Sequence, residues 1–536
     1  DDDDDDELDD EEAAALAEAA AAEAGDEPEM EIDANEFFDT TLVFEDVLMD
    51  RDAQMAADKD MLRGLKLFFN NKIADAKQLF LAKSRTNPMY LLGLGALAYL
   101  KAGMTFDRAD IEYAVTVAVA IDQFCQQLLP QESMLMGMAK WVTGASDKDM
   151  TNTELRLRLI RAEAAQFRGY LHLQQESVWH YVRGGLALRS GYKLLEQCYK
   201  VVRSWSEDEQ RQRFDPHTLG GIIGTMGVVN LTLAMLPTKI LRLVAILGLP
   251  CDRELGFREL RAGLQQGGVR APLFALVLVA YYIIIPAFAP VLRDEYLLNG
   301  EPLLREQLQL YPKGAVHMWL LGRQLRLQKK LRASNDAFKG SARGGANTDF
   351  AQIEHVNYFE IGFNHIFSLN WLEAYRYWSI LRRENGWSRA FYTFMCAVCL
   401  DMLGRRKLAH RLYRKAPKHV ERTYGGRVLS AEQFVLRRCD QYTNENFRDS
   451  FLSGIEVMYL WNGFTLMTPR MLLKVLHFLE RRLSEIGIGG CRRELLDAQH
   501  IAGERYEFDG LVELGDGSEP PASAVAVAAA AATAAA

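Results

Sequence analysis

The sequence predicts an all-α solenoid (superhelix) with disordered termini, on three observations. Small and aromatic residues recur at fixed spacing: counted from Gly64, the residues Ala76, Phe80 and Pro88 stand at 12, 16 and 24. Few runs alternate in polarity and only 15 prolines interrupt the chain, which argues against a β-rich architecture. Of 536 residues, 49% are apolar and 10% aromatic. That is enough for a large core, and in a stacked fold the core grows along one axis.

The recurrence defines the unit. Tyr358, Ile361, Gly362, Ala374 and Trp378 fall in the same register, as do Leu321, Gly322 and Phe338. Ala397, Ala409 and Tyr413 follow one repeat length after the Gly362 unit. This is the tetratricopeptide pattern, a helix–turn–helix of about 34 residues. The small residues sit where two helices cross, and the aromatics fill the space beside them. A single unit cannot bury its apolar face, so units stack, and the concave side becomes a binding surface. About 20 helices in two lobes are expected at this repeat length.

Along the chain, residues 1–36 form an acidic head with 19 Asp or Glu and no Lys or Arg. Removing those charges from the net −10 leaves the other 500 residues at +9. The head cannot bury apolar surface and is expected to be disordered, as a solubilising tail or a decoy for the basic body. Phe37–Asp50 reads as an amphipathic lead-in, Met61–Lys83 and Tyr90–Leu129 as helical hairpins, and Glu132–Thr143 as a further amphipathic stretch. Long helices follow over Glu154–Tyr170 and Glu176–Trp205, and Ser206–Pro216 reads as a polar linker. The central block His217–Gly300 opens with Gly220, Gly221, Gly224 and Gly227, the mark of close helix packing. Within it, Ala271–Leu292 runs 22 residues without a charge. It reads as a buried solenoid helix, with a membrane-inserted segment as the alternative. The expected organisation is an N-terminal lobe over 37–300, a C-terminal repeat lobe over 301–512 and a disordered Ala-rich tail over 513–536. Gly340–Asn347 reads as a long loop.

Seven scattered cysteines, an odd number, are no disulfide framework and place the chain in a reducing compartment. Cys396 and Cys399 form a C-x-x-C inside an apolar helix, where two packed thiols are expected rather than a redox pair. No metalloprotease, Walker-loop, nucleophile-elbow or paired-cysteine metal signature is present. The reading is therefore not an enzyme, with no cofactor and no metal.

Several ordered strings go beyond generic repeats: Gly191–Tyr192–Lys193 through Cys198–Tyr199–Lys200, then Leu236–Pro237 with Lys239–Ile240–Leu241. They continue with Asp252–Arg253–Glu254–Leu255–Gly256, Gly268–Val269–Arg270–Ala271–Pro272–Leu273 and Tyr459–Leu460–Trp461–Asn462–Gly463. In this order they resemble the tetratricopeptide repeat protein 39 family over roughly Phe37–Leu483. The family's fungal members are described as mitochondrial outer-membrane or inclusion-body-clearance proteins. The resemblance implies a non-enzymatic scaffold or adapter linked to inclusion-body clearance and lipid handling. It implies a cytoplasmic location, with the mitochondrial outer membrane or nucleus as alternatives. The family offers no catalytic residues to carry over.

Two surfaces are candidates for binding. The repeat register places Trp319, Arg323, Arg326, Phe359, Phe363, Phe367 and Phe394 on the concave side, an apolar groove with an arginine rim. It suits a protein partner such as an amphipathic helix, or a self-docked segment. The alternative is that these aromatics are buried between units. The second surface is a basic patch at Arg405, Arg406, Lys407, Arg411, Arg414, Lys415 and Lys418, continued by Arg422 and Arg427 against Glu421 alone. It reads as a solvated helix face, or as a site for an anionic membrane surface or the acidic head. Nucleic acid is disfavoured, because no aromatic interleaving accompanies the charge.

Overall fold

The computed structural model describes residues 32–43, 51–105, 107–130, 150–175, 178–235, 248–249, 251–345, 352–420, 430–444, 446 and 449–485. The acidic residues 1–31, the stretch Glu132–Thr143, the string Leu236–Leu241 and the tail 513–536 lie outside them. The described residues form helices and turns with no strand, an all-α solenoid in which successive helices pack on one another.

A short helix α1 (Ala34–Phe37) precedes two hairpins, α2 (Arg51–Phe69) with α3 (Ile73–Leu81) and α4 (Pro88–Thr105) with α5 (Arg108–Leu128). Long helices α6 (Asn152–Leu173) and α7 (Val178–Arg203) pair next, then α8 (Glu207–Arg213) and α9 (Pro216–Leu233). The central block continues with α10 (Arg253–Gln266), α11 (Ala271–Ile284) and α12 (Arg293–Leu310). Three hairpins follow: α13 (Ala315–Leu327) with α14 (Leu331–Gly345), α15 (Gln352–Phe367) with α16 (Trp371–Glu384), and α17 (Arg389–Met402) with α18 (Arg406–Lys415). The chain closes with α19 (Ser430–Asn444), α20 (Ser453–Leu460) and α21 (Pro469–Glu485).

The repeat signature has a direct physical cause. A methyl group at Gly64 would overlap the Phe80 ring, one at Gly322 the Phe338 ring, and one at Gly362 the Trp378 indole. Each aromatic lies 16 residues after its glycine, so the spacing brings a missing side chain opposite a large one. The turn within each hairpin repeats as well. Asn71, Lys329, Leu369 and Gly404 all have positive φ, at 64°, 62°, 59° and 74°. In each case the next N–H donates to a carbonyl five residues back: Lys72 to Leu67 at 2.9 Å, Lys330 to Leu325 at 2.9 Å, Asn370 to His365 at 2.8 Å, and Arg405 to Leu400 at 2.8 Å. This is the Schellman closure. Only one of the four positions is glycine, and lysine in the left-handed region costs about 1–2 kcal/mol. Lys329→Gly should therefore raise the unfolding free energy by up to about 1 kcal/mol, after the glycine's own entropy loss of about 0.5–1 kcal/mol. A urea titration in which this variant is less stable than wild type would show that the Lys329 side chain contributes more than its backbone costs.

Two sequence expectations change. Ser206–Pro216 is not a bare linker, because Ser206 and Glu209 form a reciprocal capping box that starts α8. The loop expected at Gly340–Asn347 is helix as far as Gly345, the last described residue there. The charge-based boundary at residue 36 falls inside α1, and Phe38 beyond it is buried against Phe124 with ring centroids 4.6 Å apart.

Two apolar cores result. The first spans Phe38 to Val269, and the second joins Phe69, Val228, Leu231 and Leu260 to residues from Phe274 to Val475. The glycines of α9 permit the join: a methyl at Gly227 would strike the Leu260 backbone, and one at Gly263 the Gly224 backbone. The uncharged run Ala271–Leu292 is broken by 3-10 turns at Ile285–Ala287 and Pro290–Leu292. From Phe274 to Ile284 no residue is more than 4% exposed, so α11 is the centre of the second core. No helix of the described residues is long and apolar enough to cross a membrane.

Buried ion pairs fix the first core. Arg270 holds Glu163 through two hydrogen bonds, one of 2.6 Å, and Arg156 pairs with Asp58. The α2–α3 turn also meets the start of α13. The Asn71 side chain accepts from the Ala315 N–H at 2.8 Å and donates to the Lys313 carbonyl at 2.7 Å. Beside it, Phe69, Tyr311 and His317 pack as a ring cluster with centroids 4.9 to 5.1 Å apart.

Candidate functional site

The groove expected from the register is already filled. Phe363 and Phe367 are each 2% exposed, Phe394 is fully buried and Arg326 is 8% exposed. Phe363 and Phe367 are covered by the downstream segment 453–466, which comprises α20 and a 3-10 turn at Gly463–Leu466, whereas Phe394 packs against Tyr413, Phe434 and Tyr442. Trp461 stacks on Phe363 at 5.4 Å and touches Phe391 and Phe434 at 5.9 Å each. A side chain at Gly463 would collide with Phe367, and one at Gly454 with Met402 and Trp371. Asn462 takes a left-handed conformation (φ 52°), and its amide donates to the Ala287 carbonyl at 3.1 Å. Arg293 donates to the Thr465 carbonyl at 2.9 Å, tying the plug to the central block.

Arg326, Phe363, Phe367 and Phe394 are thus core residues, contrary to their reading as groove lining. Trp319, Arg323 and Phe359 are half-buried at its margin. Arg323 lies 5.2 Å from the Trp319 ring and pairs with Glu360 at 2.7 Å; Arg326 pairs with the same carboxylate at 2.5 Å. Burial pushes Glu360 up, but the two guanidiniums outweigh it and hold the carboxyl below its usual range. Arg326 also donates to the Asn364 side chain at 2.7 Å. The arginine rim therefore joins α13 to α15 rather than facing a partner.

An open cleft of about 430 Å³ lies instead among α14, α15 and α16. Its floor is Tyr358 and Tyr377, with ring centroids 5.5 Å apart. Tyr358 donates to Glu354, and Tyr377 stacks on His365 at 5.7 Å. The rim carries both signs: Lys339, Arg343 and Arg376 against Glu354 and Glu373.

The basic patch is exposed. Arg405, Arg406, Lys407, Arg411, Arg414, Lys415 and Lys418 all face solvent, while Ala409 and Tyr413 pack inward. Among the described residues Lys407, Arg411, Lys415 and Lys418 make no ion pair. Arg422, Arg427 and Glu421 lie outside the described residues.

A sequence model described as Iml2/Tetratricopeptide repeat protein 39 matches residues 62–486. The chain belongs to the Iml2/Tetratricopeptide repeat protein 39 family. The matched stretch contains all four signature glycine or alanine positions and the Trp461 plug. Several strings that suggested the tetratricopeptide repeat protein 39 resemblance now have structural roles. Asp252 caps α10 by accepting from the Leu255 N–H at 2.9 Å. Val269 donates its N–H to His217 Nδ1 at 3.1 Å, and Arg270 next to it holds Glu163. Tyr459–Gly463 carries the plug, a role that sequence reasoning missed. Its signal was Trp461 followed by Asn462–Gly463, an aromatic before a turn dipeptide.

Cys396 and Cys399 are packing groups in this family member. Burial pushes the Cys396 thiol up to about 11 and the Cys399 thiol well above its ordinary value, which disfavours the reactive thiolate. Among the described residues no group of His, Cys, Asp and Glu is placed to hold a metal ion. His355 lies 4.0 Å from Glu384, and His365 is held against Tyr377.

Proposed function

We propose that the protein is a non-enzymatic adapter that binds a partner protein on its C-terminal repeats, at the cleft among α14, α15 and α16. The observation that carries this is the pair of tyrosine rings, Tyr358 and Tyr377, flooring an open cleft with a rim of mixed charge. Tyrosines in such positions supply rigid contact area, and an amphipathic helix with both acidic and basic residues complements the rim. The inward face is a poorer candidate, because a partner there would have to expel Trp461 from three aromatic neighbours. Phe274–Ile284, the middle of the central apolar run, is no holdfast in this reading, since its side chains are already packed in the core. The family's links to inclusion-body clearance and lipid handling fit an adapter whose partner sets the task. The cytoplasm is the proposed location, with the mitochondrial outer membrane or nucleus as alternatives.

Proximity labelling in cells, followed by cross-linking of purified protein with each labelled candidate, tests the proposal. A true partner cross-links to α14–α16. Tyr358→Ala with Tyr377→Ala should weaken its binding at least about tenfold, each tyrosine contributing at least about 1 kcal/mol, with the melting temperature kept within a few degrees. Undiminished affinity of the double variant for every candidate would reject the cleft as the contact.

A further inference from the structure

We infer that α18 is a docking surface for an anionic lipid bilayer. This is separate from the adapter cleft and does not depend on it. The helix is mounted rigidly: Ala409 and Tyr413 are fully buried, and the Tyr413 hydroxyl donates to Ser453 Oγ at 2.9 Å. Opposite them, Lys407 and Arg411 stand one turn apart, with Lys415 one turn further on. None of the three meets a carboxylate among the described residues, so the ridge carries uncompensated charge.

Charge alone would suit any polyanion. The apolar residues on the same face decide the class. Leu408 is 47% exposed on the flank of the ridge, and Leu403, in the turn leading into it, is 39% exposed. Neither contributes to either core. Leucines held at the surface among cations match the pattern of a helix lying in a membrane interface, where acyl chains cover the leucines and headgroups meet the cations. A nucleic acid, which offers phosphates rather than acyl chains, would gain little from them. The last helix repeats the motif. In α21, Leu473 is 51% exposed beside exposed Lys474, and Arg482 of this helix and Arg406 both act on the buried Asp401 carboxyl. Two helices at this end of the molecule thus present leucine next to lysine.

The test uses the full-length protein and co-sedimentation with vesicles of phosphatidylcholine alone or with about a third phosphatidylserine. Binding to the anionic vesicles alone is expected, falling steeply as salt rises. Neutralising Lys407, Arg411 and Lys415 together to alanine should weaken it roughly a hundredfold, at about fivefold per basic residue. Leu408→Asn separates a bilayer from other polyanions. It should weaken vesicle binding several-fold and leave binding to soluble polyglutamate unchanged. The inference is overturned by equal binding to neutral and anionic vesicles, by no binding to either, or by a Leu408→Asn variant that binds vesicles as wild type does. Should the triple variant fail to fold, the Leu408→Asn comparison decides alone. RNA that displaces the vesicles, together with an inert Leu408→Asn, would put nucleic acid on this surface instead.

Discussion

Phe363→Glu should unfold the C-terminal repeats rather than merely blunt their binding. The ring is 2% exposed, stacked on Trp461 and set edge-on to Trp378 at 5.2 Å. Losing a buried phenylalanine costs about 3–5 kcal/mol, and glutamate adds a carboxyl that must be buried protonated or drag water inward. Against a total stability of about 5–15 kcal/mol, little margin is left. Phe359→Glu is the comparison, because Phe359 is only half-buried at the same site and should cost markedly less. Thermal melts of the two variants should differ by many degrees. Equal melting temperatures, with partner binding lost in both, would restore the open groove that the register suggested.

The second large effect is pH. His317 is fully buried against Phe69 and Tyr311, and neither ring nitrogen has a hydrogen-bond partner among the described residues. Burial holds its imidazole down to about 4, against an ordinary 6.5. The folded value is the lower one, so the unfolded chain takes the proton more readily. Stability is then fully present above about pH 6.5 and is lost as pH falls from there toward 4, by roughly 3 kcal/mol for this group. His172 acts in the same sense: burial, then His180 and the nearby Arg183 and Arg168, lower it to about 3. Urea midpoints measured across this range should decline on the acid side, and His317→Leu should flatten part of the decline. An unchanged acid slope in that variant would mean that His317 is not the titrating group.

What the sequence made legible was what neighbouring stretches of chain decide. Gly322 and Phe338 lie within one hairpin, so their spacing alone announced the crossing. The glycines of α9 likewise announced close packing. Ser206 with Glu209 was readable as a capping box, but the polar composition around it looked like linker. At Gly340 glycine suggested a break, yet helix continues to Gly345. The groove failed for a different reason. The register says which side of α15 and α17 faces inward, but not what fills that side. Trp461 comes from the turn after α20, outside the repeat pattern, and nothing near Phe363 in the chain points to it. The charge on α18 was visible at once, whereas the two exposed leucines acquire meaning only when burial shows that no core claims them.

The Asn71 contact bears on how the chain is made. Its partners at Lys313 and Ala315 lie 242 and 244 residues downstream. A ribosome adding about 5–20 residues per second needs roughly ten to fifty seconds to deliver them after Asn71 has emerged. Throughout that interval the α2–α3 hairpin has its own core partner, Gly64 against Phe80, but Phe69, which is 1% exposed in the finished protein, lacks its Tyr311 and His317 partners. The nascent chain therefore displays a poorly covered aromatic next to a half-satisfied turn for nearly half of its synthesis. Holding factors that recognise exposed apolar segments have a long window at residues 65–72.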